Sequence, residues 1–103
     1  MSALVLAEVE VTDPAVVDDY LALTIPSIDD FGGKYLVRSR IPDPLEGNWS
    51  RQRIVILEFP DLDTAHAWYN SDSYRRARAV GQPGMIRRFA IVESESFVTE
   101  ALS

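Results

Sequence analysis

Leu57-Glu58-Phe59-Pro60-Asp61-Leu62-Asp63-Thr64-Ala65-His66-Ala67-Trp68-Tyr69 is the stretch that decides the fold. Leu57 and Phe59 alternate with Glu58, as in a strand with one buried face. Pro60 has no backbone N–H and cannot continue an interior ladder. Asp61 then suits a helix cap, its carboxylate accepting from free first-turn amides, and Asp63 adds negative charge at the positive end of the helix dipole. No Glu or Gln stands three residues after Asp61, so the reciprocal capping box is missing. Leu62, Ala65, His66 and Tyr69 recur at helical spacing, with Trp68 beside that stripe. Asn70-Ser71-Asp72-Ser73 breaks the helix, because these side chains compete for backbone hydrogen bonds. Tyr74 opens a second helical piece, Arg75 to Val80.

The same order, strand and then capped helix, stands at the N-terminal end. Leu4 to Val11 reads as a strand with Val5, Ala7, Val9 and Val11 on one face and Leu4, Leu6, Glu8 and Glu10 on the other. Asp13 suits an N-cap and Pro14 the first helical position. Val17, Tyr20, Leu21, Thr24, Ile28 and Phe31 keep helical spacing, and Thr24 is the one polar member of the stripe. Pro26 removes a helical hydrogen bond and crowds the preceding turn, so a kink near Ala22 to Pro26, or two helical pieces, is expected. Gly32-Gly33 ends the helix.

Lys34 to Ile41 is a second strand, with Tyr35, Val37, Ser39 and Ile41 expected on one face and Leu36, Arg38 and Arg40 on the other. A connection rich in turn formers follows, from Pro42 to Trp49. Arg51 to Phe59 is the third strand, Ile54, Ile56 and Glu58 opposing Arg53, Val55, Leu57 and Phe59. Gly81-Gln82-Pro83-Gly84 reads as a loop. Met85 to Glu93 is the last strand. The expected organisation is one domain over 1–93 and a tail over 94–103.

The order β-α-β-β-α-β is the ferredoxin-like arrangement, an α+β fold whose four-stranded antiparallel sheet carries both helices on one face. A monomer should then present a polar face on the other side. Instead Leu4, Leu6, Ile54 and Ile56 stand opposite valines and leucines, so both faces require burial. A second copy is the simplest cover, by a closed two-fold interface. Two facing sheets make a dimeric α+β barrel, and a homodimer is expected.

A chain of 103 residues with a formal charge of −6 and no cysteine bounds the function further. A domain this size buries about 60–70% of its unfolded surface and needs no staple. Disulfides, thiolate zinc sites and cysteine nucleophiles are excluded. An acidic chain, with a pI near 4.6, is a poor partner for nucleic acid, whose phosphates call for a basic surface. No basic-then-apolar leader and no run of membrane-spanning length is present, and the expected location is cytoplasmic. A lone histidine with scattered carboxylates is poor metal-ligand spacing, and no cofactor is expected.

Glu8, Arg38, Arg53, Glu58 and Arg88 interrupt apolar alternation in the strands. One reading places them at strand ends, in solvent or in cross-strand pairs. The other points some of them into a cleft between sheet and helices, where an arginine would favour a carboxylate. With the aromatic run, this yields the candidate cleft-lining residues Tyr20, Arg38, Arg53, Glu58, His66, Trp68, Tyr69 and Tyr74. The aromatics read equally as packing residues, and His66 as a surface residue.

Val9-Glu10-Val11-Thr12-Asp13-Pro14, Phe31-Gly32-Gly33-Lys34-Tyr35-Leu36-Val37-Arg38, Leu45-Glu46-Gly47-Asn48-Trp49, Val55-Ile56-Leu57-Glu58-Phe59-Pro60 and Ala67-Trp68-Tyr69-Asn70-Ser71-Asp72-Ser73-Tyr74 occur in that order. Together they resemble the DUF1330 family of small bacterial proteins, from about Leu4 to Glu93. The resemblance implies the dimeric α+β barrel superfamily, which includes cofactor-free quinol monooxygenases, muconolactone isomerases and haem-binding relatives. The family's recurring positions fall on Tyr20, Gly32, Gly33, Arg38, Trp49, Glu58, Trp68, Tyr69, Ser71 and Tyr74. The family supplies no accepted catalytic set. Its members often carry an arginine after the second helix; here Val80-Gly81-Gln82-Pro83-Gly84 has none, and Arg78 or Arg87 is the available substitute.

Two classes of function follow. The first is a small-molecule cleft between sheet and helices, with or without chemistry. With chemistry it would be a cofactor-free monooxygenase or isomerase. His66 or Glu58 would then be the base and Tyr20 or Tyr69 the donor to developing oxyanion charge. Haem would need His66, the only histidine, as axial ligand. The second is a non-catalytic dimeric interaction module, favoured by the lack of any nucleophile–base pair.

Overall fold

In the computed structural model, residues 1–49 and 52–95 are described. Arg51, expected to open the third strand, and the expected tail from residue 96 onward lie outside them. The order is β1 (Ala3–Val11), a 3-10 turn (Pro14–Val16), α1 (Val17–Asp30), β2 (Lys34–Arg40), β3 (Arg53–Phe59), α2 (Leu62–Tyr69), α3 (Asp72–Gly81), a second 3-10 turn (Gln82–Gly84) and β4 (Met85–Glu93). The sheet runs β2-β3-β1-β4 with every neighbour antiparallel. This is the ferredoxin-like α+β fold.

Side-chain caps begin these elements where the sequence offers them. Asp13 accepts from the Ala15 amide at 3.0 Å, Asp61 from that of Thr64 at 2.7 Å, and Ser71 Oγ from that of Tyr74 at 3.2 Å. The Thr64 bonds hold the Asp61 carboxyl below its usual range. Ser71 thereby starts α3 earlier than Tyr74, the expected opening residue. Gly32 closes α1 with a φ of +70°, which lets the Gly33 amide reach the Ile28 carbonyl at 2.9 Å. Gly33 is tight for another reason: a Cβ there would lie 2.6 Å from the Phe59 ring and 2.8 Å from Ile28.

Three local expectations are corrected. α1 runs through Pro26 as one helix rather than two pieces. The Ala22 carbonyl that Pro26 leaves without an amide belongs to an exposed residue, so water can take the lost bond. The Gly81–Gly84 segment is the end of α3 and a 3-10 turn rather than a loop. β2 does not alternate: its register against β3 shifts between Tyr35 and Val37 and again between Val37 and Arg40. Tyr35 pairs with Leu57 and Val37 with Ile56, so Tyr35 and Val37 face opposite sides. An edge strand accommodates such bulges because its outer side has no ladder to disrupt.

One sheet face carries the helices. Val5, Leu57 and Phe59 pack there against Tyr20 and Ile28 of α1, Ala65 and Trp68 of α2, and Tyr74 and Ala77 of α3. The opposite face carries Leu4, Leu6, Ile54, Ile56, Ala90 and Val92 as apolar neighbours. Leu6 is 37% and Val92 45% exposed, so this chain alone leaves that face open. Arg88 and Glu8, directly opposite on β4 and β1, form an ion pair at 3.0 Å.

Candidate functional site

α1 does not lie flush on the sheet. Beneath it is a cavity of about 150 Å³. Its floor is Ala7 and Val9 of β1, Val55 and Leu57 of β3, and Phe89 of β4. Its roof is Tyr20, Leu21, Thr24 and Ile28 of α1, with Trp68 and Met85 closing the sides. Val11, Ile25, Arg38 and Ser39 reach solvent or its edge and form the mouth. A void of this size with apolar walls takes a molecule about as large as benzene.

Few polar atoms meet this space. Thr24 is 4% exposed, and its Oγ1 has no hydrogen-bond partner among the described residues. The Tyr20 hydroxyl is shared with that of Tyr74 at 2.8 Å, the two rings meeting edge to face. Burial, and secondly the neighbouring Tyr20, push the Tyr74 phenol far above the usual tyrosine range, so it stays neutral. Burial likewise raises Tyr35, opposed by the Arg38 guanidinium. Trp68 is locked: its Nε1 donates to Ser27 Oγ at 3.1 Å, and Ser27 Oγ donates to the Thr24 carbonyl at 2.6 Å. Its indole lies 4.3 Å from the Tyr74 ring and 5.2 Å from Phe59.

At the mouth, the Arg38 Cζ stacks 4.5 Å above the Tyr35 ring. Ser39 follows with a φ of +57°, a left-handed conformation unusual for serine. Its carbonyl accepts from Arg53 Nη1 at 3.3 Å.

Of the candidates from sequence, Tyr20, Arg38 and Trp68 line the cavity. Tyr74 is fully buried behind it and touches it through the Tyr20 hydroxyl. Arg53 is exposed and braces the mouth through Ser39. His66 and Tyr69 lie elsewhere, along a more open groove of about 610 Å³ with Leu62, Asn70 and Phe89. His66 is exposed there, and Tyr69 carries the Arg78 guanidinium 4.4 Å above its ring. Glu58 is on the sheet face away from the helices, 6% exposed, and accepts from Ser2 Oγ at 2.9 Å. Thr24, Tyr35, Ser39 and Met85 were not among the candidates. Thr24 did carry a signal, as the one polar member of the α1 stripe.

Arg87, one of the two substitutes for the loop arginine, packs over the Tyr20 ring at 5.1 Å and donates from Nη2 to the Arg78 carbonyl at 3.1 Å. Among the described residues, no three His, Asp or Glu side chains stand where they could hold a metal ion. Among the described residues, no helix is long and apolar enough to cross a membrane.

Solved structures share this architecture at low identity. A Rhodopseudomonas palustris protein of unknown function has 17% identity and a TM-score of 0.73, over 92% of this chain and 83% of that one. SnoaB, a cofactor-independent oxygenase from Streptomyces nogalater, has 11% identity and a TM-score of 0.61, over 94% and 96%. A dimeric ferredoxin-like protein of unknown function from a Jannaschia species has 16% identity and a TM-score of 0.63, over 91% and 100%. No curated protein matches the chain. The model of the family described as a domain of unknown function, DUF1330, matches residues 2–94. The fold, the five sequence blocks and this match agree: the chain belongs to the DUF1330 family.

Proposed function

We propose that the protein is a homodimer in which each subunit binds one small, largely apolar molecule in the cavity between α1 and the sheet. The observation that carries the reading is Thr24, a residue lining an apolar cavity of about 150 Å³ whose buried hydroxyl has no partner among the described residues. A buried unpaired hydroxyl is costly, and a ligand's polar atom would satisfy it. Binding pockets combine apolar walls with few polar groups in this way. The homodimer is supported by the open apolar face of the sheet and by the dimeric Jannaschia neighbour.

Thermal-shift and calorimetric titration against phenols, quinols and small carboxylic acids tests the binding. A ligand at 100 times its dissociation constant adds about 2.7 kcal/mol of stability. Ala7→Leu puts three further carbons into the cavity floor and should abolish the shift. Persistence of binding in Ala7→Leu would move the site elsewhere. Light scattering should give twice the 11.6 kDa chain mass, and Ile56→Asp, on the open face, should halve it.

Cofactor-free oxygenation is the second reading, favoured by the likeness to SnoaB. None of the described residues lining the cavity is a histidine, aspartate or glutamate. Any proton abstraction would then fall to the substrate or to water, which is why binding is placed first.

A further inference from the structure

Building on the cavity reading, we infer that the ligand is a one-ring hydroxylated carboxylic acid. Its ring lies on the apolar floor, its hydroxyl meets Thr24 Oγ1, and its carboxylate pairs with Arg38 at the mouth. Arg38 reaches the mouth through an irregularity in the backbone. Regular alternation from Tyr35 would put Arg38 on the sheet face away from the helices. The register shifts on either side of Val37 instead bring Arg38 to the same side as Tyr35, with its guanidinium 4.5 Å above that ring. Bulges re-aim side chains in this way beside functional sites. The left-handed φ of +57° at Ser39, with the Arg53 bond to its carbonyl, holds the turned backbone in place.

The chemistry of the two ends differs. Stacking on Tyr35 occupies a face of the guanidinium and leaves its N–H edge available, the edge that takes a carboxylate in a two-bonded fork. The chain carries 16 acidic residues against 10 basic ones. Even so, the described residues form a single ion pair, Arg88 with Glu8, and Arg38 is not in it. At the inner end the demand is for one neutral hydrogen-bonding group, because Thr24 is buried and the one charged side chain among the described residues lining the cavity is Arg38, at the mouth. The volume admits one ring.

The test is calorimetric titration of the full-length dimer with phenol, benzoate and the three hydroxybenzoate isomers at neutral pH. Wild type, Arg38→Gln and Thr24→Val are compared; Arg38 is exposed, so its replacement leaves the core intact. At least one hydroxybenzoate should bind about tenfold or more tightly than phenol, as one charge-assisted contact allows. Arg38→Gln should remove that advantage, so that on the variant the hydroxybenzoate binds no more tightly than phenol. Thr24→Val should remove the advantage of the hydroxybenzoate over benzoate. If phenol binds as tightly as every hydroxybenzoate and Arg38→Gln changes nothing, the carboxylate assignment is overturned while the cavity reading stands. If no member of the set binds wild type, both fall.

Discussion

Replacing Thr24 by valine should make the protein more stable. Valine keeps the branched shape of threonine and exchanges a hydroxyl for a methyl, and the two have similar helix propensities. The wild-type hydroxyl is 4% exposed at the residue level and has no partner among the described residues, so folding strips it of water without return. Such a group costs about 1–3 kcal/mol, and the methyl gains contact with Ile28 and the cavity wall. A gain of about 1–2 kcal/mol is expected. For a domain of this size each kcal/mol moves the midpoint by about 4–8 °C, so the rise should be at least about 4 °C. Urea unfolding at one protomer concentration, which holds the dimer equilibrium fixed, should show a higher midpoint at unchanged slope. A Thr24→Val midpoint equal to or below wild type would refute the reasoning. It would mean that the hydroxyl is bonded, for instance to a carbonyl one turn back, and holds no vacancy for a ligand.

Ser27→Ala, one turn away, should act in the opposite direction: it removes the acceptor of the Trp68 indole and should destabilise by about 1–3 kcal/mol, read in the same urea experiment. Gly33→Ala forces a Cβ to within 2.6 Å of the Phe59 ring; a loss of about 1–3 kcal/mol, as for overpacked cores, is expected in the thermal midpoint. Tyr74→Phe and Tyr20→Phe each orphan the other hydroxyl, so the double variant should be less destabilised than the sum of the two singles. Tyr74 and Tyr35 have folded pKa values raised from 10.0. Above pH 10 the unfolded chain therefore ionises first, and stability falls as pH rises. Urea midpoints between pH 8 and 11 should show that decline, and Tyr74→Phe should flatten it.

Asp13, Pro14, Gly32, Pro60 and Asp61 punctuate the chain locally. Each acts through its own backbone geometry or a hydrogen bond within three residues, so helix starts and strand ends were legible without a structure. Period-two alternation in β1, β3 and β4 was legible for the same reason, because β1 keeps a single register against both β3 and β4. The apolar second face of the sheet, and with it the expectation of a dimer, followed from those alternations alone.

β2 marks where local reading ends. Its alternating letters are those of a regular strand, and only pairing with β3 shows the bulges that turn Arg38 towards the cavity. The eight candidate site residues were chosen by chemical type, which does not encode distance. Tertiary packing sent Glu58 to the other sheet face and His66 to an exposed groove, and brought Tyr20, Arg38 and Trp68 around one void. The cavity itself is a property of how far α1 stands off the sheet, which depends on Trp68 of α2 and Met85 and Phe89 of β4 acting as spacers from two other elements. The sequence by itself determined the elements, their order and the need to cover both sheet faces, because those follow from short-range geometry and alternation. Tertiary structure decided which polar atoms are buried without partners and where an arginine meets an apolar void, because those depend on residues distant in the chain.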